Sequence, residues 1–457
     1  MGMLKKKNLR LIDWCLVAGL ICFSPRASGS RGLLPAKLKE LPSKLSVSET
    51  IRVRIFPHFR DYLPQGRDVD KERVGFQSAS HCRLYRGLSH TSGGAPAKKG
   101  FFGVGTDFEF RYEDLKEPLW LDCPSSTKMM RSEKKVPSYR YLGNFYIHRI
   151  DSPDKGRYIE VVNVIHLEKY LEGVVPSEVY AHWPEEALKT QAVAARTYAF
   201  FHLFRARESG RPSFYDVDDT INYQVYTGID RFHVRTSAAV RETRGEVIIF
   251  GNQVIQAYYH ADSGGATANP MHVWNISAPY LKSMPDGTAN QASAWRRSLS
   301  KRALGRNLRR LKLIGKNEPL VDLFVPAAGR TQSGRVKFLT VVVGVDKRKI
   351  NISLATFQKF ASGLPSTMFY IQQRRNQFRL VGLGFGHGVG LSQRGAKVLA
   401  KEQNWNYRRI LTHYYPNTLL CQAEDIDGKD AIESCQDHLV PLDKRTVLAQ
   451  QNRSSRL

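Results

Sequence analysis

One long run of helix-forming residues constrains the fold of this chain more than any other feature. The run is PEEALKTQAVAARTYAFFHLF, residues 184 to 204. Pro184 suits the first helical turn, and the two glutamates after it suit the positive end of the helix dipole. Small or apolar residues recur on one face: Leu188, Ala192, Ala195 and Ala199. Because such a face lets neighbours approach closely, the sequence predicts a long helix packed inside a compact unit.

Runs typical of β-strands lie on both sides of this helix. They are Tyr158–Leu167, a hairpin over Gly245–His260 that turns at Gly251 and Asn252, Val336–Val345 and Phe378–Leu383. Residues 51 to 150 add shorter apolar runs between turns, and a further helix is predicted from about Ser392 to Lys401. A chain of 457 residues is long enough for two or three packed lobes. We therefore predict a mixed α+β, multi-lobed fold with several short strands, one long helix and a substrate cleft.

The N-terminus has the pattern of a secretory signal. Basic residues from Lys5 to Arg10 precede an apolar run, Trp14 to Phe23, that is too short to span a bilayer comfortably. Cleavage is expected near Ala27, with retention as a short anchor as the alternative. The predicted organisation is therefore a signal peptide at 1–27, a β-rich module with a linker at 28–157, a core at 158–420 and a polar tail at 421–457. Export to the periplasm or cell envelope follows.

The net charge limits the kinds of binding partner expected for this chain, and the cysteine content limits its disulfides and metal sites. The formal net charge of +27 indicates an anionic partner, such as nucleic acid, a membrane surface or a cell-wall glycan. Four cysteines follow the signal segment, Cys82, Cys123, Cys421 and Cys435, and none forms a CxxC pair. We expect one or two disulfides, and neither a zinc ribbon nor a redox motif.

Two glycine-containing motifs could approach a ligand. GFGHGVG, residues 384 to 390, has glycine at every second position, which in extended chain leaves one face without side chains. His387 is the polar side chain of this loop, and a structural role for it is equally open. The DSGG run from Asp262 resembles the nucleophile loop of chymotrypsin-like proteases, but no base or orienting acid can be placed beside it. A turn with exposed amides, able to bind a sugar hydroxyl, is the favoured interpretation.

A single carboxylate stands out in GVVPSEV, residues 173 to 179. Glu178 lies among apolar neighbours, and a carboxylate is rarely buried without a partner. One interpretation is structural, a helix cap or salt bridge. The other is a carboxyl group held ready for proton transfer.

Six sequence blocks that occur in order along the chain bear on the role of Glu178. They are YLEGVVPSEV, WPEEALKTQAVAARTYA, NYQVYTG, YYHADSGGAT, LGFGHGVGLSQRGA and ILTHYYPNT. Over residues 158 to 420 the chain resembles the stage II sporulation protein D/LytB family of peptidoglycan-acting proteins. The resemblance implies a lytic transglycosylase, which cleaves the MurNAc–GlcNAc bond without water and leaves 1,6-anhydro-MurNAc ends.

The resemblance also implies roles for individual residues. Glu178 matches the family's catalytic glutamate, and Lys189 and Arg196 match positions implicated in activity or substrate contact. Substrate binding is further expected from polar residues of the later blocks: Gln224, Tyr226, His260, Ser263, His387 and Gln393. Glycan strands, with a preference for denuded ones, are the implied partner, and a cell-wall amidase is a further candidate partner.

The chemistry of one carboxylate fits this reaction. A glycosidase normally needs two carboxyl groups. A lytic transglycosylase can use one, which first donates a proton and then accepts one from the sugar's own C6 hydroxyl. We expect the apolar neighbours of Glu178 to favour its protonated form, and Lys189 or Arg196, on a shared helix face, to favour the carboxylate. Two other functions compete: a non-catalytic glycan-binding enhancer of an amidase, and a nucleic-acid binder, which export and the absence of a recognition motif disfavour.

One block departs from the family pattern. Some members bind zinc through two cysteines in a block of the form DxCDTTHCQVY, where this chain has DVDDTINYQVY. Asp218 and Tyr223 stand at the cysteine positions, and tyrosine is a poor zinc ligand. We therefore predict neither a metal nor another cofactor, no nucleic-acid partner, and membrane contact only through the N-terminal signal.

Overall fold

A computed structural model describes most of the chain between residues 50 and 423. The described ranges are 50–56, 73–86, 101–104, 106–131, 137–152, 156–208, 214–251, 253–287, 292–361 and 363–423. The predicted signal segment and Cys435 lie outside them. The described residues within Arg31–Ala257 and Thr418–Pro441 form one compact unit, here the N-terminal unit. Those within Tyr258–Asn417 form another, the C-terminal unit.

Most strands in the described ranges are short, as predicted, whereas β9 and β10 have nine and eleven residues. In chain order they are β1 (Thr50–Phe56), β2 (Arg73–Ser78), β3 (Cys82–Arg86), β4 (Phe101–Val104), β5 (Asp107–Arg111), β6 (Leu119–Asp122), β7 (Thr127–Arg131), β8 (Arg140–Tyr141), β9 (Asn144–Ser152), β10 (Gly156–His166), β11 (Val217–Asp218), β12 (Glu246–Phe250), β13 (Gln253–Val254), β14 (Tyr259–His260), β15 (Ala294–Ser300), β16 (Leu320–Phe324), β17 (Phe338–Val343), β18 (Arg348–Ser353), β19 (Phe369–Gln373), β20 (Gln377–Leu383), β21 (Leu391–Ser392) and β22 (Leu419–Gln422).

The helices include the long one expected from the sequence. They are α1 (Leu167–Glu178), α2 (Glu185–Glu208), α3 (Val234–Glu242), α4 (Pro270–Trp274), α5 (Lys301–Arg310), α6 (Leu354–Gln358), α7 (Gln393–Glu402) and α8 (Tyr407–Tyr414). Strands and helices together confirm the predicted mixed α+β class. No helix in the described part of the chain is long and apolar enough to cross a membrane.

A seven-stranded sheet organises the N-terminal unit. Its strand order is β11-β1-β10-β9-β6-β3-β4, beside a four-stranded sheet β5-β2-β7-β8 and a three-stranded sheet β13-β12-β22. The long strand β10 pairs antiparallel with both β1 and β9. The domain boundary predicted at residue 157 thus falls inside β10, and the large sheet takes strands from both sides of it. Cys82 and Cys123 form a disulfide in this unit, and Cys421 is also disulfide-bonded.

The α2 helix is the packed centre of the N-terminal unit. Its predicted contact face is fully buried, at 0% exposure for Leu188, Ala192, Ala195 and Ala199. It packs against α1, α3 and β12. Because three of these four side chains are single methyl groups, the neighbouring elements can approach the helix backbone closely. The prediction of a closely packed helix is confirmed.

The C-terminal unit is built from two three-stranded sheets and a parallel pair. The sheets are β15-β20-β19 and β16-β17-β18, and β14 pairs with β21. Both larger sheets contribute to one apolar cluster that includes Leu339, Phe357 and Phe378. The hairpin predicted over Gly245–His260 is shorter than expected. Only Gln253–Val254 pairs with β12, whereas Tyr259–His260 pairs with Leu391–Ser392 instead.

Candidate functional site

Glu178 is the last residue of α1 in the N-terminal unit. The helix ends because Val179 adopts an extended conformation, with its N–H still donating to the Val175 carbonyl. The Glu178 side chain is partly buried, and its Oε1 accepts a hydrogen bond of 2.9 Å from the Val225 N–H. Because α2 begins at Glu185, Glu178 does not have the position of an N-terminal cap of this following helix. The carboxylate is held at the C-terminal end of α1 by a backbone donor.

Buried side chains position that donor. Gln224, next to Val225, is 0% exposed, and its amide accepts from Tyr170 Oη at 3.2 Å and donates to the Ala195 carbonyl at 3.1 Å. Tyr226 is 1% exposed and donates to Asn163 Oδ1 at 3.0 Å. Neither side chain can contact a glycan from inside the protein. Both instead fix the backbone segment that holds Glu178.

An exposed aromatic cluster follows Glu178 directly. Tyr180 is 47% exposed, His182 is exposed and Trp183 is half-buried. The Tyr180 ring centroid lies 5.4 Å from that of His182 and 6.1 Å from that of Trp183. Arg235 holds this turn by donating to the carbonyls of Ala181 and Trp183 at 2.9 and 3.0 Å. These three residues were not among the predicted site residues, although the run VYAHW, rich in aromatic side chains, follows the glutamate directly.

Lys189 lies among carboxylates. Its Nζ is 2.6 Å from Glu185, 3.5 Å from Glu186 and 2.8 Å from Glu242. Desolvation alone would lower the pKa of Lys189, but hydrogen bonds to Glu185 and Glu242 raise it overall. The ammonium group is therefore a permanent cation whose charge the three carboxylates neutralise locally.

Arg196 was expected to contact the substrate, but it lies inside the protein. The side chain is 0% exposed and bonds Glu168 in a bidentate manner, at 2.7 and 2.8 Å. Its remaining donors bond Thr243 Oγ1 and the carbonyls of Glu246 and Val240. All five guanidinium N–H groups thus have acceptors within the protein. Arg196 cannot contact a substrate in this structure; it ties α1 and α2 to the segment after α3.

The glycine-rich loop of the C-terminal unit is not extended. Gly384, Gly386, Gly388 and Gly390 all have positive φ, between 72° and 98°. A Cβ on Gly388 would lie 2.2 Å from Arg335 Nη2, and one on Gly390 would lie 2.1 Å from the Tyr258 carbonyl oxygen. The expectation of an extended strand with one bare face is therefore wrong. These glycines allow close packing inside the protein.

His387 is partly buried at the centre of this loop. Its Nδ1 accepts a 3.0 Å hydrogen bond from the Val389 N–H, and its ring lies 4.9 Å from that of Trp274. Desolvation lowers the pKa of His387 to about 3, and the nearby Arg335 adds to this effect. The imidazole is thus neutral at physiological pH, and a hydrogen bond to the backbone of Tyr259 engages it within the protein as well.

The other predicted ligands of this unit are buried. His260, Ser263 and Gln393 are 4%, 0% and 5% exposed. The Nδ1 of His260 lies 3.1 Å from the Val389 carbonyl, and desolvation lowers the pKa of His260 well below its ordinary value. The Ser263 hydroxyl donates to Asp286 rather than to a histidine, so the protease interpretation has no base. These positions support the loop from within.

The structure thus divides the predicted site residues by unit and by exposure. Glu178, Lys189, Arg196, Gln224 and Tyr226 belong to the N-terminal unit, and His260, Ser263, His387 and Gln393 to the C-terminal unit. Only Glu178, Lys189 and His387 are not buried. The accessible part of the candidate site in the N-terminal unit is therefore Glu178 with the aromatic cluster of Tyr180, His182 and Trp183.

The residues at the family's zinc positions do not fit a zinc ion. Asp218 pairs with the buried Arg54 at 2.9 Å and accepts two hydrogen bonds from Thr220. Desolvation raises the pKa of Tyr223 to about 12, so its phenol stays protonated. Zinc is bound by atoms with an available lone pair, such as a thiolate sulfur or an imidazole nitrogen. Here the Asp218 carboxylate is already paired with the Arg54 guanidinium, and the protonated phenol of Tyr223 stands at the second cysteine position. Arg54 supplies the positive charge at this position.

Comparison with known proteins supports the family resemblance of this chain. A family model described as stage II sporulation protein matches residues 155–250, and one described as a domain of unknown function (DUF8618) matches residues 282–390. An uncharacterized protein of Brachyspira hyodysenteriae is 32% identical over 56% of this chain and 66% of its own length. The amidase enhancer of Bacillus subtilis is also 32% identical, over 55% of this chain and 40% of its own length.

A third relative is covered more fully. The stage II sporulation protein D of Bacillus subtilis is 30% identical over 58% of this chain and 76% of its own length. The chain spans less than two thirds of the length of the first two relatives.

Proposed function

Because the chain belongs to the stage II sporulation protein D family, we propose that it cleaves peptidoglycan glycan strands as a lytic transglycosylase. Glu178 acts as the single acid/base. The bond cleaved is MurNAc–GlcNAc, and the products are strands with 1,6-anhydro-MurNAc ends, in cell-wall remodelling or division. The observation that carries the proposal is a positioned carboxylate beside an exposed aromatic surface, formed by Glu178, Tyr180 and His182.

The reaction needs one group that both gives and takes a proton. The protonated Glu178 carboxyl donates to the glycosidic oxygen while the bond from that oxygen to C1 of MurNAc breaks. The C6 hydroxyl oxygen of the same sugar then bonds to C1, and its proton passes to the Glu178 carboxylate. The acid is regenerated and no water is consumed. The Val225 N–H restrains Oε1 during both steps, since a fixed backbone donor limits rotation of the carboxyl group.

The aromatic cluster supplies binding for the sugar rings. Pyranose rings present apolar C–H faces, and exposed aromatic rings can cover such faces without needing charge. Arg235 fixes the turn that carries Tyr180 and Trp183, so little ordering is required when a strand binds. We propose that Lys189 contributes indirectly, by holding Glu185 and Glu242 away from the strand.

The same proposal implies where the protein acts and on which form of glycan. Peptidoglycan lies outside the cytoplasmic membrane, so we propose export through the N-terminal signal, to the periplasm or cell envelope. Denuded glycan strands are the proposed substrate, and no cofactor is required.

The decisive test is mass spectrometry of purified glycan strands after incubation with the protein. Wild type is expected to create 1,6-anhydro ends. Glu178→Gln preserves size and hydrogen bonding but removes the transferable proton, so the rate should fall by about 10² to 10⁴ while glycan binding remains. Glu185→Gln is the matched control, since it changes an exposed carboxylate on the next helix and should retain activity. New anhydro ends from well-folded Glu178→Gln at near the wild-type rate would show that the acid lies elsewhere.

A second function is favoured by one specific observation. A relative with 32% identity is named an amidase enhancer, and the cationic side chains expected around Glu178 are neutralised or buried. In that case the aromatic cluster would bind glycan for an amidase partner without cleaving it. Unchanged strand ends, together with a faster amidase reaction when the chain is added, would select this alternative. Tyr180→Ala should then reduce the enhancement, whereas Glu178→Gln should not.

A further inference from the structure

The C-terminal unit carries a group of arginines that the proposed reaction does not use. An open pocket of about 800 Å³ is lined by Arg374, Arg375 and Arg379 together with Ser298, Ser300 and Gln377. No carboxylate lines the pocket. Within the described ranges, none of the three guanidinium groups has a hydrogen-bond or ion-pair partner. Unpaired cations that share one concave surface favour an anionic ligand.

The sheet β15-β20-β19 explains why these groups converge. In the pairing of β15 with β20, Ser298 lies opposite Arg379 and Ser300 lies opposite Gln377. Their neighbours along the strands, Leu299 and Phe378, pack into the apolar cluster beneath. Because strand residues alternate between faces, the hydroxyls and Arg379 are directed to the open face. Arg374 and Arg375 extend the same surface from the turn that joins β19 to β20.

Helix α5 continues this basic surface. It begins beside the pocket, where Ser300 caps it by accepting from the Ala303 N–H. The exposed residues Arg302, Arg306 and Arg310 follow at intervals of four, while Leu304 and Leu308 are buried on the other face. Like charges at this spacing repel one another along the helix, and an anion bound along it would relieve that repulsion.

A second basic pocket lies at the other end of α5. It is lined by Arg309, Lys312, Lys316 and Arg348, among others. Glu318 pairs with Arg348 at 2.7 Å, so the two lysines and Arg309 supply the positive charge of this pocket. A helix of ten residues is about 15 Å long. Residues 294–316, which include both ends of this helix, contain nine lysines or arginines and no acidic residue. Two basic pockets joined by a row of arginines fit a ligand with repeating charges better than a single small anion.

We propose that this surface, formed by β15, the β19–β20 turn and α5, binds the phosphate groups of a phosphodiester polymer. Three guanidinium groups with two hydroxyls and two side-chain amides offer more donors than the two oxygens of one carboxylate can accept. A tetrahedral phosphate accepts from several arginines at once. No aromatic side chain lines either pocket, so stacking of nucleobases has no support there. A polyol-phosphate chain fits this chemistry, and a lipid phosphate headgroup offers the same group.

The test compares binding of the full chain to poly(glycerol phosphate), to phosphatidylglycerol vesicles and to poly(U) RNA. Arg374→Gln/Arg375→Gln/Arg379→Gln should weaken binding of poly(glycerol phosphate) at least about 30-fold, because removing each charge-assisted hydrogen bond to a phosphate weakens binding several-fold. The dependence of binding on salt should also become shallower. The matched control is Lys282→Gln/Lys359→Gln/Lys401→Gln, which removes the same charge from exposed positions elsewhere in this unit and should leave binding within threefold.

The outcomes separate the phosphate sources. Binding of vesicles but not of the soluble polymer, with the same loss in the arginine variant, would overturn the polymer as ligand and assign the arginines to a lipid headgroup. Equal loss in both triple variants, or tighter binding of poly(U) than of poly(glycerol phosphate), would overturn the proposal. Glycan cleavage by the arginine variant should be unchanged on purified glycan strands, so this proposal can fail without affecting the role of Glu178.

Discussion

Replacing Arg196 distinguishes most sharply between a substrate contact and a structural role. The structure gives this side chain five acceptors inside the N-terminal unit and no exposure. Arg196→Met keeps most of the apolar stem but removes every one of these hydrogen bonds. It also leaves the carboxylate of Glu168 buried without its cation. We therefore expect a loss of stability, with glycan binding retained in whatever protein stays folded.

The size of this destabilisation follows from the hydrogen bonds and the ion pair. Removing one partner of a buried ion pair costs about 3 to 5 kcal/mol. Two charge-assisted hydrogen bonds to Glu168, at about 1.5 to 3 kcal/mol each, give a similar total. For a unit of roughly 200 residues each kcal/mol lowers the Tm by about 2 to 4 °C, so the transition should fall by about 6 to 20 °C.

Calorimetry of matched variants measures this prediction. Lys189→Met removes a cation from the same helix, but its partners Glu185 and Glu242 are 61% and 51% exposed. That change should cost less than about 1 kcal/mol. The double variant Glu168→Leu/Arg196→Met removes both buried charges and should recover much of the stability. An Arg196→Met protein that melts within about 2 °C of wild type yet no longer binds glycan would refute the structural role.

Three further predictions concern other parts of the molecule. Asp218→Asn should lower the free energy of unfolding by about 3 kcal/mol in urea titrations, since Arg54 loses its buried partner. Metal analysis of the wild-type protein should find no stoichiometric zinc. The folded pKa of His387, about 3, lies below its ordinary value of 6.5, so the unfolded chain binds the proton first and stability should fall as pH drops from about 6.5 towards 3. His387→Asn should lose less stability over that range in melts at stepped pH. Gly390→Ala should cost about 2 to 4 kcal/mol because of both its positive φ and a clash with the Tyr258 backbone carbonyl. Gly363→Ala, with positive φ but nothing within 4 Å, should cost about 1 kcal/mol, and equal losses would contradict the packing argument.

Local patterns in the sequence identified several of the secondary-structure elements and the family. Periodicity and capping rules identify features that depend on residues only a few positions apart. Examples are the small-residue face of α2, the apolar run of β10 and the start of α7 after Ser392. The position of Glu178 in its block was equally visible. The helix α1, which contains Pro176 near its end, was not predicted.

Only the tertiary structure decided which polar residues of the blocks are accessible. The acceptors of Arg196 come from residues 168, 240, 243 and 246, and the donor to Glu178 comes from residue 225. No pattern within one segment records such partners, because burial and hydrogen bonding depend on segments brought together from distant parts of the chain. For the same reason the sequence could name Gln224 and Tyr226 as site residues but could not show that they support the site from within.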